Sequence, residues 1–179
     1  MKKILAMVAL IGLLAVPAFA GDAVDKGTLW ITGQVDVSSG DNMELLLMGV
    51  PAVDVTSVSL NAIGNYFIID KLAVGGELGV MMISNGGSLT AYNVGANILY
   101  AFDLNKNIYP FVTATVGMLG ASNGASDSWV YAKGGGGVNW AVKDNIGVRA
   151  DLLYKWVNTE GEAATCISLS GGLVGIFDL

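Results

Sequence analysis

The most informative segment of this sequence is residues 59–76, SLNAIGNYFIIDKLAVGG. Polar or small residues largely alternate with apolar residues on both sides of Ile69-Asp70-Lys71, which has the length and polarity of a tight turn. Successive side chains of a β-strand point to opposite faces, so alternation of this kind is typical of a strand with one polar and one apolar face. The segment therefore predicts a β-hairpin.

The same period-two pattern occurs in eight segments of the chain. Each segment has ~10 residues or somewhat more, which is the length that a tilted strand needs to cross a bilayer. The predicted strands are Thr28–Val37, Thr56–Ile68, Leu72–Ile83, Thr90–Phe102, Ile108–Leu119, Trp129–Val142, Ile146–Val157 and Thr165–Phe177. Their connections are predicted to alternate between short turns (69–71, 103–107, 143–145) and longer loops (38–55, 84–89, 120–128, 158–164). Together these features predict an antiparallel up-and-down barrel.

The charges of the predicted strands share one face with Thr, Ser, Asn and Gly, while Val, Leu and Ile dominate the other face. A soluble barrel has a densely charged exterior, and six charges of mixed sign are too few for that. They suit pairing inside a narrow lumen, and Arg149 is expected to pair with Glu77 or with another acid. The predicted lumen network is Asp36, Glu77, Lys133, Arg149, Asp151 and Lys155. A transmembrane barrel is favoured over a soluble ligand-binding barrel.

Aromatic residues lie near the predicted strand ends and not in the strand middles. Two aromatic girdles at the membrane interfaces are typical of transmembrane barrels. By parity, some aromatic side chains point inward and are expected to plug the barrel mouths: Trp30, Phe67, Phe111, Trp129 and Tyr131.

Composition excludes several classes of function. The 179 residues are 53% apolar and 13% charged, with a net charge of −6, so disorder and nucleic-acid binding are both disfavoured. The chain has one Cys and no His, which excludes an intramolecular disulfide and Ser–His catalysis. We expect no catalytic residue, no cofactor and no metal site.

The first 20 residues have the pattern of a secretory signal peptide. Lys2 and Lys3 precede the apolar run Ile4–Val16, and Ala18-Phe19-Ala20 is a small-x-small cleavage site. The apolar run is shorter than the ~20 residues of a membrane-spanning helix. The predicted organisation is a signal peptide at 1–20 and a barrel domain at 21–179.

The chain resembles the small eight-stranded outer-membrane β-barrel proteins of the OmpA/OmpX type. The resemblance is based on the signal peptide, the hairpin Ser59–Gly76, and the segment Ile146–Tyr154 with its alternating Arg149 and Asp151. The resemblance implies an outer-membrane location, contact with outer-membrane lipids and lipopolysaccharide, and insertion by the barrel-assembly machinery. The family usually ends on an aromatic residue, whereas this chain ends Phe177-Asp178-Leu179.

The predicted function is a structural or surface-interaction role, adhesion-like and without catalysis. Eight strands enclose an interior just wide enough for side chains, which disfavours a channel. A narrow pore for small solutes and a soluble periplasmic ligand-binding barrel are the alternatives.

The long connections contain two features of their own. The first loop carries an apolar patch that is a candidate site for a surface partner: Met43, Leu45, Leu46, Leu47, Met48 and Val50. The charges of the loops are all acidic: Asp41, Glu44, Asp54, Asp127, Glu160 and Glu162. These carboxylates either keep the rim soluble or share divalent cations with lipopolysaccharide phosphates.

Overall fold

The computed structural model describes residues 23–40, 55–84, 88–104, 107–121, 128–159 and 162–179, which form a closed barrel. Its strands are β1 (Thr28–Gly40), β2 (Val55–Ile69), β3 (Leu72–Ser84), β4 (Ser88–Ala101), β5 (Ile108–Ala121), β6 (Ser128–Lys143), β7 (Ile146–Thr159) and β8 (Glu162–Asp178). Each strand pairs antiparallel with the next, and β8 pairs antiparallel with β1. The predicted all-β, eight-stranded, antiparallel up-and-down barrel is confirmed. Within the described ranges, no helix has the length and hydropathy to cross a membrane.

The predicted strand ends need correction, mainly at the loop end of the barrel. β8 begins at Glu162, three residues before the predicted start, and β4 ends at Ala101, so Phe102 belongs to the turn. The connections 85–87 and 160–161 are consequently shorter than the turn 102–107, and the predicted short–long alternation is wrong there. Backbone pairing continues to Thr159↔Glu162 because ladder hydrogen bonds form whatever the side chains are, and the polarity pattern does not report them.

The outward face of the barrel is apolar, as predicted from parity. Leu78 is 63% exposed, Leu152 59% and Leu169 63%. Between the strand ends, the outward positions whose side chains the structure describes carry no charge. Outward aromatic side chains lie toward the turn end (Tyr66, Tyr100, Trp140) and toward the loop end (Tyr92, Tyr154). This surface matches a hydrocarbon layer between two polar interfaces.

The interior contains two apolar clusters with a polar belt between them. Parity predicted that inward aromatic side chains plug the barrel mouths. The cluster at the turn end contains three of the predicted residues, Trp30, Phe67 and Phe111, and also Tyr109. The second cluster lies toward the loop end and consists of Met81, Ala91, Leu119, Tyr131, Val157 and Cys166, with Trp129 packed against it.

The residues just before β1 close the turn end of the barrel. Ala23 and Val24 are buried in the cluster there. Trp30 Nε1 donates to the Ala23 carbonyl at 2.7 Å, and the Lys71 backbone N–H donates to the Val24 carbonyl at 2.8 Å. This segment has no strand periodicity, so its burial could not be predicted from the alternation.

Candidate functional site in the barrel lumen

The structure places all six charged residues of the predicted lumen network inside the barrel. Lys133 and Lys155 are partly buried, and the other four are buried: Asp36, Glu77, Arg149 and Asp151. Three acids and three bases give this set a formal charge of zero. Four of the six form two ion pairs, Glu77–Lys133 and Arg149–Asp151.

Glu77 is the centre of a group around the first of these pairs. Lys133 Nζ lies 2.6 Å from Glu77 Oε2, and their side chains are 8% and 0% exposed. Glu77 Oε1 accepts hydrogen bonds from the Tyr131 hydroxyl at 2.5 Å and from Asn93 Nδ2 at 3.1 Å. A buried carboxylate is costly unless it is both paired and hydrogen-bonded, and Glu77 meets both conditions.

Two glycines allow Tyr131 to reach Glu77 across the barrel wall. The register aligns Glu77 with Gly95, Gly95 with Gly117, and Gly117 with Tyr131, so the four residues form one row across β3–β6. A Cβ atom at position 95 would lie 2.5 Å from Tyr131 Oη, and one at position 117 would lie 2.8 Å from Tyr131 Cε1. Both distances are too short, so the Tyr131 side chain occupies space that only glycine leaves open.

Gly95→Ala is therefore expected to displace the Tyr131 hydroxyl and to lower the free energy of unfolding by about 1–3 kcal/mol, because buried Glu77 loses a donor. The matched control is Gly171→Ala, where an added Cβ atom meets nothing within 4 Å. Both variants gain the same strand propensity, so their difference reports the contacts of the Cβ atom at position 95, which are Tyr131 Oη at 2.5 Å, Thr115 Cγ2 at 2.9 Å and the Val116 carbonyl oxygen at 3.1 Å. Urea titration of the folded protein in detergent measures it, and equal midpoints would contradict the role of Gly95.

Asp36 and Lys155 lie beside the Glu77 group. The Asp36 carboxylate accepts hydrogen bonds from Gln34 Nε2 at 2.9 Å and from Asn61 Nδ2 at 2.6 Å. Lys155 Nζ lies over the Tyr131 ring, 5.1 Å from its centroid, at a distance where a cation is attracted by the aromatic face. A cavity of about 10 Å³ lies between these side chains, close to the smallest space that holds one water molecule.

Arg149 and Asp151 form the second pair, closer to the turn end. Arg149 Nε donates to Asp151 Oδ1 at 2.9 Å, and Arg149 Nη2 donates to Asp151 Oδ2 at 2.7 Å. The guanidinium carbon also lies 4.2 Å from the centroid of the Phe111 ring. The sequence predicted that Arg149 pairs with Glu77 or with another acid. In the structure Arg149 pairs with another acid, Asp151, and Glu77 pairs with Lys133.

Sequence reasoning missed the neutral side chains that hold these charges. Asn61, Asn93 and Tyr131 donate directly to Asp36 or Glu77. Their inward parity was the available signal, but parity does not tell which acid each one contacts. In the part of the chain that the structure describes, no group of three or more His, Cys, Asp or Glu residues could hold a metal ion.

The predicted loop features fall mostly outside the described residues. The apolar patch within residues 43–50 and the acids Asp41, Glu44, Asp54, Asp127 and Glu160 lie there, as does the predicted signal peptide. Glu162 is the first residue of β8. The structure therefore places the lumen network and leaves the loop patch as a prediction.

Comparison with known proteins agrees with this architecture. The family model for the outer membrane protein beta-barrel domain matches residues 6–172. No curated protein matches the sequence. Among solved structures, Neisserial surface protein A is 16% identical with a TM-score of 0.63, and the match covers 85% of this chain and 100% of that one.

Two further solved structures share the fold. Ail, the attachment invasion locus protein of Yersinia pestis, is 16% identical with a TM-score of 0.51, over 85% of this chain and 99% of that one. The outer membrane enzyme PagL is 14% identical with a TM-score of 0.58, over 79% of this chain and 97% of that one. At these identities the likeness shows the fold alone, and the predicted resemblance to eight-stranded outer-membrane barrels is confirmed.

Proposed function

This chain belongs to the outer membrane protein beta-barrel domain family, and on that premise we propose that it is a membrane-spanning scaffold with a surface-interaction role. The barrel anchors the protein in the outer membrane, and the long connections carry the activity. Export through the predicted signal peptide at 1–20 and insertion by the barrel-assembly machinery are part of the same proposal.

The observation that carries the proposal is the filled interior of the described barrel. Trp30, Phe67, Tyr109 and Phe111 pack together at the turn end, and the charged belt above them surrounds a cavity of about 10 Å³. A hydrated solute needs far more space than one water molecule occupies. The filled interior favours a scaffold over a narrow pore.

The first loop is the candidate site for the surface interaction. Residues 41–54 form the longest connection between strands, and they contain the apolar patch Met43, Leu45, Leu46, Leu47, Met48 and Val50. Apolar side chains concentrated in a surface connection are typical of sites that bind a partner or a lipid surface. Ail, which shares the fold, is named for attachment and invasion, and this supports an adhesion-like role.

We propose two further contacts with the membrane. The exposed apolar band contacts outer-membrane lipids, and the acidic loops share divalent cations with the phosphates of lipopolysaccharide. The second contact rests on charge, since anionic loops and anionic phosphates repel each other without a cation between them.

A catalytic role is not proposed, although the fold accommodates one in PagL. Ser–His chemistry needs a histidine, and this chain contains none. Four of the six charged side chains of the lumen form two ion pairs with one another, which favours a structural role for them.

The test replaces the six apolar residues of the patch by serine and compares the variant with the unchanged protein on the surface of expressing cells. We expect attachment to protein-coated and hydrophobic surfaces to fall at least several-fold, while the heat-modifiable gel mobility of the folded barrel is unchanged. The matched control replaces the five loop acids Asp41, Glu44, Asp54, Asp127 and Glu160, together with Glu162 at the start of β8, by their amides, and it is expected to leave attachment unchanged.

Three outcomes contradict the proposal. Unchanged attachment of the serine variant removes the role of the patch, and failure of that variant to fold makes the loop part of the barrel. Stepwise single-channel conductance of the purified protein in a planar bilayer would favour the narrow pore instead.

A further inference from the structure

The cavity toward the loop end of the lumen is lined by one acid and one base that take part in no ion pair. Asp36 and Lys155 both line it, together with the Glu77–Lys133 pair. Among the described residues, the ion pairs within 4.0 Å are Glu77–Lys133 and Arg149–Asp151, and neither includes Asp36 or Lys155. The ammonium group of Lys155 has three N–H donors, and its contact with the Tyr131 ring uses its charge without supplying an oxygen acceptor.

A third polar group at the cavity, the Ser168 hydroxyl, has no hydrogen-bond partner among the described residues. Ser168 is 4% exposed and lines the cavity. An unpaired buried hydroxyl is costly, so native structures usually satisfy it with protein or with bound water. The Asp36 carboxylate can accept about four hydrogen bonds in total, more than Gln34, Asn61 and Ser59 use.

We propose that this cavity is a binding site for a single water molecule that joins Lys155, Ser168 and Asp36. The water oxygen accepts from the Lys155 ammonium and from the Ser168 hydroxyl, and one water O–H donates to the Asp36 carboxylate. Three polar partners and about 10 Å³ of space are what a buried water requires.

The charge of the site selects water over an ion. Asp36 and Glu77 balance Lys133 and Lys155, so the cavity has no net charge that a small cation or anion would neutralise. The three groups come from β7, β8 and β1, the strands on both sides of the seam where the barrel closes. The bound water therefore links the first and last strands through side chains, in addition to the backbone ladder between them.

The test uses the whole mature protein folded in detergent micelles and water itself as the probe. Oxygen-17 magnetic relaxation dispersion counts the long-lived waters of a protein, and we compare the unchanged protein with Lys155→Met. Methionine keeps the length and packing of the side chain and removes its donors. We expect the amplitude to fall by the equivalent of one water molecule. Lys143→Met, at the exposed last residue of β6, is the matched control and is expected to leave the amplitude unchanged.

A second variant keeps the test decisive if Lys155→Met does not fold. Ser168→Val removes the unpaired hydroxyl and fills the cavity with a methyl group, and it is expected to cause the same loss of one water. Equal amplitudes in the folded variants and the unchanged protein overturn the proposal. Excess chloride-35 line broadening that Lys155→Met abolishes would show that the site holds an anion, and it would overturn the proposal as well.

Discussion

Replacing Arg149 by methionine is expected to lower the free energy of unfolding in detergent by about 3–5 kcal/mol. The change removes three hydrogen bonds to Asp151, whose side chain is 0% exposed, and the cation–π contact with Phe111. Methionine has nearly the length of the arginine stem, so little of the loss comes from an empty space. The large effect arises because Asp151 remains buried without its counter-charge.

The control is the double variant Arg149→Met, Asp151→Asn. Removing both charges of a buried pair is often close to neutral, because the desolvation cost of the two ions disappears along with their attraction. We expect the double variant to recover most of the stability that the single variant loses. Urea unfolding followed by tryptophan fluorescence measures both variants. If the single variant unfolds at the same urea concentration as the unchanged protein, the ion pair contributes nothing and Asp151 is satisfied in another way.

The faces of the strands could be predicted from the sequence because alternation is a local property. Val35 and Asp36 are adjacent in the chain and must point to opposite sides of the barrel, whatever else the strand does. The structure exposes Val35 and buries Asp36 accordingly. The same local rule placed all six lumen charges on one face without any knowledge of strand pairing.

The partners of those charges could not be predicted, because they depend on register across several strands. Glu77 and Lys133 lie on β3 and β6, and Tyr131 reaches the same carboxylate because Gly95 and Gly117 leave the wall between them free of side chains. A shift of one residue at any of the intervening ladders would turn one of these side chains to lipid. The alternation pattern contains no information on that shift.

The pair Arg149 and Asp151 is a different case. The two residues are two positions apart on β7, which puts them on the same face, and this spacing was available as a signal for a contact within one strand. The sequence allowed either Glu77 or another acid as the partner of Arg149, because all the acids of the lumen share the inward parity. The close approach of a long arginine side chain to its i+2 neighbour decides between them.

The outward face leads to the second large effect, at Leu152 in the middle of β7. Leu152 is 59% exposed, and its partners across the ladders are Gly136 and Leu169, which lie on the same outward face. A charged side chain at this depth must enter the hydrocarbon layer or distort it. Leu152→Arg is therefore expected to destabilise the barrel in phospholipid bilayers by about 2–4 kcal/mol, the range for arginine at the bilayer midplane.

The same strand provides a matched control for depth. Asn158 points outward like Leu152 but lies at the loop end of β7, beyond the aromatic side chains Tyr154 and Trp156 that mark the interface. Asn158→Arg is expected to cost only about 0–1 kcal/mol, because its guanidinium group reaches water and headgroups. Urea unfolding from vesicles of a short-chain phosphatidylcholine compares the two variants. Equal losses at the two positions would mean that the energetic cost does not depend on depth, and that the apolar band around Leu152 is not the surface in contact with the lipid chains.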